Sequence, residues 1–116
     1  MEMQPAIDLY VKSVNETCPG IPGADLSLFT AMLVYKQLNK KDFFVRAGKL
    51  HKEMGFITRG LIRSFYIDDN GNEITVGFYA EGTYATHYAS FLTQQPCKYA
   101  LQCLEPTTLV CLSLEN

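Results

Sequence analysis

Two apolar runs with a period near two flank one short polar stretch in the middle of the chain. The first spans residues 56–67 and includes Phe56, Ile57, Leu61, Ile62, Phe65, Tyr66 and Ile67. The second spans 73–79 and includes Ile74, Val76, Phe78 and Tyr79. β-Branched and aromatic side chains fit a pleated, half-buried surface. Between them stands Asp68-Asp69-Asn70-Gly71-Asn72, whose Asn-Gly pair tolerates the positive φ values of a tight hairpin turn. This pattern predicts one long antiparallel hairpin, with 56–67 paired to 73–79.

The rest of the chain changes period twice. Ile7, Leu9, Tyr10, Val11 and Val14 lie near helical spacing between Pro5 and Asn15 and predict a short first helix. Pro19-Gly20-Ile21-Pro22-Gly23 interrupts it and reads as a connector. Asp25 or Ser27 then offers a cap to a second helix. Leu28, Phe29, Met32, Leu33, Tyr35, Lys36 and Leu38 would form its apolar stripe, ending near Asn39-Lys40. After Lys41 the pattern turns to strands: 42–47 closed by Gly48, the hairpin closed by Gly82, then 99–104 and 109–114 joined by Glu105-Pro106-Thr107-Thr108. Residues 49–53 form a short polar piece. Gly55 and Gly60 mark bends or bulges. Many short strands with Gly and Pro turns make a mainly β domain, a barrel or a sandwich. At 116 residues the chain suits one domain, helical over about 1–40 and β over about 41–114.

An ordered series of glycines and apolar strands carries a family resemblance. It comprises Phe43-Phe44-Val45-Arg46-Ala47-Gly48-Lys49, Gly60-Leu61-Ile62-Arg63, Gly71-Asn72-Glu73-Ile74 and Phe78-Tyr79-Ala80-Glu81-Gly82. The series, over roughly 40–113, resembles the cyclic-nucleotide-binding-like sensor domain of the Crp–Fnr superfamily of bacterial transcription regulators. The resemblance implies a jelly-roll-like β-roll (a double-stranded β-helix) with N-terminal helices and a short cassette helix. It also implies a cytoplasmic, homodimeric regulator without catalysis, touching DNA only through a domain beyond Asn116.

Composition narrows the function further. Hydrophobic residues make up 47% and charged residues 19%, enough for a real core. The net charge of −2 argues against this segment alone gripping nucleic acid. Lys36, Lys40 and Lys41 read as a solvated helix end. The start, Met1-Glu2-Met3-Gln4-Pro5, has no secretory pattern, and no apolar run approaches membrane-spanning length, so no membrane partner is expected. Cys18, Cys97, Cys103 and Cys111 lack C-x-x-C spacing. They read as reduced thiols, with Cys103 and Cys111 in apolar runs and Cys97 in an exposed loop.

Candidate chemistry concentrates in 82–101. Thr86 can cap a short helix over 86–92, and a helix N-terminus is an anion site. In the resembled family this segment is the phosphate-binding cassette, in which a glutamate holds the ribose and an arginine the cyclic phosphate. With Gly82 on the family's glycine, His87 stands at the glutamate position. Cys97 stands at or near the arginine position, with Lys98 adjacent, and no arginine follows Arg63. Lysine is a point charge without arginine's bidentate fork. Cyclic AMP and cyclic GMP therefore do not carry over as ligands, and no other cofactor is implied. A small anionic ligand is expected against the 86–92 helix, near Gly82, Tyr84, Thr86, His87, Tyr88, Lys98 and Tyr99. Tyr66 and Tyr79 are further pocket candidates, and Tyr84, Tyr88 and Tyr99 could instead close the pocket. Two other readings stay open: a free-standing β-roll binding or scaffold module, and a cupin-type metal enzyme. The second would need more than His51 and His87 as imidazole ligands, so no metal site is assigned. Ser90 lacks a nucleophile elbow, and no catalytic residue is assigned.

Overall fold

A computed structural model describes residues 2–17, 20, 31–50, 53–86, 93 and 95–113. Helix α1 spans Met3–Thr17, close to the expected first helix. Eight strands follow: β1 Val34–Leu38, β2 Phe43–Val45, β3 Glu53–Arg59, β4 Leu61–Ile67, β5 Glu73–Ala80, β6 Tyr84–Ala85, β7 Ala100–Cys103 and β8 Thr107–Ser113. They form two four-stranded antiparallel sheets. The first has the order β1-β8-β3-β6 and the second β2-β7-β4-β5. The protein is thus mainly β, with the β-roll architecture expected. No described helix is long and apolar enough to cross a membrane.

The alternation of side chains across each strand sorts the residues into layers. Ile57, Leu109 and Cys111 of the first sheet meet Ile62, Leu101, Cys103 and Val45 of the second, all buried between the sheets. The opposite face of the first sheet presents Phe56 and Val110, paired in register, with Tyr84 beside Phe56. Helix α1 covers that face with Ala6 and Tyr10. The Tyr10 ring lies 4.9 Å from Phe56 and 6.0 Å from Tyr84. The Tyr84 hydroxyl donates to the Tyr10 hydroxyl at 3.1 Å.

The hairpin forms with its turn where the Asn-Gly pair predicts it. Leu61 to Ile67 pair with Ala80 to Glu73. The Asp68 N–H donates to the Asn72 carbonyl at 2.9 Å, and the Gly71 N–H to the Asp68 carbonyl at 3.0 Å. The Asp68 carboxylate accepts the Asn70 and Asn72 N–H groups, both at 2.9 Å. Gly71 has φ +84°, the left-handed region that glycine enters freely. The first run, however, is not one strand. At Gly60, φ +120°, the chain leaves one sheet for the other. Residues Glu53–Arg59 pair with β8 and β6, not with 73–79.

The second expected helix is corrected over its last turn. Val34–Leu38 is a strand, in register with Cys111 to Thr107 of β8. A short amphipathic run is ambiguous between the two periods, and β8 supplies the backbone partners that decide it. Lys36 belongs to no helix end. Its Nζ lies 2.5 Å from Glu53 Oε1 and 5.9 Å from the Phe44 ring centre. Residues 21–30, the start of that expected helix, lie outside the described residues.

Three acidic protons sit in the two cores. Burial pushes the Cys111 thiol up to about 12, with the Glu53 carboxylate adding to the rise. Burial also raises Cys103. The Tyr10 phenol is held well above its ordinary value, by burial first and then by Tyr84. Each folded value exceeds the unfolded one, so the folded state keeps protons that the unfolded state loses. The stability these groups contribute is complete below about pH 9, the ordinary thiol value, and is lost as pH rises toward the folded values. Cys111 alone accounts for about 1.4 kcal/mol per pH unit in that window. Urea midpoints should therefore fall steadily from pH 9 to 11, and Cys111→Val should flatten the fall.

Candidate ligand-binding site

The described residues among the sequence-predicted site candidates fall in different parts of the roll. Gly82 is exposed at the turn after β5, and its N–H donates to the Ile57 carbonyl at 2.8 Å. Tyr84 packs under α1 on the outer face of the first sheet. Thr86 is buried, and its hydroxyl donates to the Glu53 carbonyl at 3.2 Å. The expected 86–92 helix, with His87 and Tyr88, lies outside the described residues, as does His51. Lys98 and Tyr99 line a cleft of about 860 Å³ on the other side of the roll. Tyr84 and Tyr99 thus stand on opposite sides and cannot close one pocket together.

The register places this cleft. Arg63 pairs with Gln102, Gln102 with Phe43, Phe65 with Ala100, and Ile67 with Glu73. Cross-strand partners share a face. Ile62, Leu101 and Cys103 occupy the inner face, so these neighbours point outward from the second sheet. The cleft lies on this outward face, with Phe43, Phe65, Ile67 and Ala100 as its apolar floor. Tyr66 and Tyr99 add an aromatic wall, with ring centres 6.3 Å apart.

Three cations stand round that floor: Arg46, Lys49 and Lys98. Arg46 lies over the Phe43 ring at 4.5 Å, a cation–π contact. Backbone pairing fixes the two lysines near one another. The Gly48 N–H donates to the Cys97 carbonyl, and the Cys97 N–H to the Lys49 carbonyl, both at 2.8 Å. The lining carboxylate, Glu73, is already engaged, with Oε1 2.6 Å from Arg63 Nη2. Arg63 also stacks on Phe65 at 4.1 Å and donates to Gln102 Oε1 at 3.1 Å.

The same backbone bonds correct the reading of Cys97 as an exposed loop thiol. Cys97 is 4% exposed and belongs to the inter-sheet core, because the bonds on either side of it turn its side chain inward. Cys103 and Cys111 are buried free thiols, as their apolar runs suggest. Sequence reasoning named Lys98, Tyr99 and Tyr66 as site candidates but missed Phe43, Arg46, Lys49 and Phe65. The usable signal was the strand expected over 42–47, which carries both Phe43 and Arg46. Its value depends on β2 lying beside β7, which spacing does not reveal.

Residues 35–116 match the model of the cyclic nucleotide-binding domain, and the chain belongs to that family. The fold is shared with several solved structures at low identity. The sensor domain of the transcriptional regulator DNR from Pseudomonas aeruginosa superposes with a TM-score of 0.77 at 14% identity, over 92% of this chain and 73% of that one. The catabolite activator protein of Thermus thermophilus gives 0.70 at 18%, over 84% and 45%. The regulatory domain of Toxoplasma gondii protein kinase A, co-crystallised with cAMP, gives 0.78 at 14%, over 97% and 43%. The chain therefore spans less than half the length of the activator and kinase chains. No curated protein sequence matches it.

Proposed function

We propose that this chain is the sensing domain of a Crp–Fnr-like transcription regulator. In this reading it is a non-catalytic, cytoplasmic module that works as a homodimer. Ligand or partner state in the β-roll biases DNA-reading elements beyond Asn116, a coupling between two sites. The observation that carries the reading is the cyclic nucleotide-binding domain match over 35–116, together with a fold shared over 92% of this chain and 73% of the DNR sensor domain. Cyclic nucleotide is not the ligand proposed. By the resemblance, the family's phosphate-holding arginine falls at or near the buried Cys97, and a thiol supplies neither charge nor fork. A small anion held by His87 and backbone N–H groups of the 86–92 segment remains the proposed signal.

Selection of random duplex DNA on the intact protein, as encoded in its genome, tests the role. A regulator of this class should enrich a two-fold symmetric site, because dimer symmetry is mirrored in the DNA. Monomeric protein that enriches no sequence would end the reading.

A further inference from the structure

The cleft on the outward face of the second sheet takes Lys98, Tyr99 and Ala100 from the end of the 82–101 stretch and the rest of its lining from β2, the 46–49 turn, β4 and Glu73. The two outer faces of the roll differ. Helix α1 covers the first sheet, whereas the second carries a concave aromatic floor ringed by cations. A volume of about 860 Å³ is that of a small-molecule site.

The charges select the ligand's sign. Arg46, Lys49 and Lys98 converge there from the 46–49 turn and the segment before β7, while Glu73 is bound to Arg63. A cation would meet three like charges, whereas an anion would meet three partners. The aromatic wall selects the ligand's body. Phe43 and Phe65 already lie under Arg46 and Arg63, whereas Tyr66 and Tyr99 are 38% and 37% exposed and offer ring faces and edges to a flat aromatic group. The surroundings select its size. Ile67 at the cleft leads directly into Asp68 and Asp69, so an extended polyanion such as nucleic acid or an acidic peptide would run into carboxylates. A compact ligand with one anionic group would not.

We propose that the outward cleft is a binding site for a small planar aromatic anion, with its carboxylate or phosphate held by Arg46, Lys49 and Lys98 and its ring against Tyr66 and Tyr99. None of these residues belongs to 86–92 and none needs the regulator role, so failure of either reading leaves the other standing.

Titrations of the chain followed by amide NMR test it, using 1-naphthoate and 1-naphthyl phosphate as the two anionic probes. 1-Naphthalenemethanol serves as the neutral control. The site predicts saturable shifts at 43–49, 65–67 and 98–100. The stronger of the two anions tells carboxylate from phosphate. Arg46→Gln and Lys98→Gln should each weaken that anion roughly tenfold or more, the scale of one lost charge-assisted contact. The neutral probe should bind at least about tenfold more weakly than the anions. Both substituted residues are exposed, so the heat-unfolding midpoint should stay close to that of the parent. Shifts confined to the inner-face residues Ser64, Tyr79 and Cys103 would overturn the proposal. So would affinities untouched by both substitutions, or no saturation by either anion below about 5 mM, an interaction too weak for a built site.

Discussion

Gly60→Ala should destabilise the domain by about 3 kcal/mol or more. Two independent penalties act at this position. The backbone holds φ at +120°, outside the range an L side chain adopts without strain. A Cβ built there would also stand 2.3 Å from Thr107 Oγ1 and 2.7 Å from Thr107 Cα. The second contact is with backbone, so no rotamer change relieves it. Thr107 cannot retreat cheaply, because it is 1% exposed and opens β8, which pairs with both β1 and β3. For a domain of this size the loss corresponds to a fall in melting temperature of roughly 12–24 °C. Gly71→Ala gives the contrast. It has a similar positive φ but open space around the new Cβ, so it should cost only the backbone term, about 1–2 kcal/mol. Calorimetry on the two variants checks both values. Equal melting temperatures would show that the Thr107 contact carries no weight.

Gly60 also marks where sequence reasoning stopped working. The alternation over 56–67 is continuous by composition, and a glycine in such a run is equally a bulge or a corner. Only Thr107, 47 positions along, makes it a corner between sheets. Turn chemistry is local, so Asp68 to Asn72 were legible down to the hairpin they close. Strand Val34–Leu38 departs from the helical expectation because its identity is set by β8, about 70 residues away. The cleft was half legible for the same reason. Lys98 and Tyr99 lie in the 82–101 stretch, where candidate chemistry is dense, but Phe43, Arg46 and Phe65 join them only through the order β2-β7-β4. Local signals were readable wherever a neighbour within a few residues decides the conformation. They failed wherever a strand from the far end of the chain decides it.

Cyclic AMP and cyclic GMP should bind at least two orders of magnitude more weakly than they do to arginine-bearing members of the family. The resemblance implies a cassette that holds the cyclic phosphate with an arginine, a position that falls here at or near Cys97, with no arginine after Arg63. Charge-assisted hydrogen bonds contribute about 1.5–3 kcal/mol each. Loss of a bidentate pair therefore removes roughly 3–6 kcal/mol, or about 10²–10⁴ in affinity. Lys98 does not substitute for it. Cys97 points between the sheets, while its neighbour lines the cleft on the outward face. His87, which the resemblance puts at the glutamate position, offers at most one ring nitrogen as acceptor against the two oxygens of a carboxylate. A helix N-terminus contributes about 0.3–1 kcal/mol for a surface charge, too little to offset the missing arginine. Titration calorimetry near neutral pH should detect no micromolar binding of either nucleotide. Cys97→Arg alone should not restore it, because the inward position at 4% exposure would bury a guanidinium before any phosphate arrives. Micromolar affinity in the parent chain would mean that the 86–92 backbone holds the phosphate without a cation, and would return cyclic nucleotide to this domain as its signal.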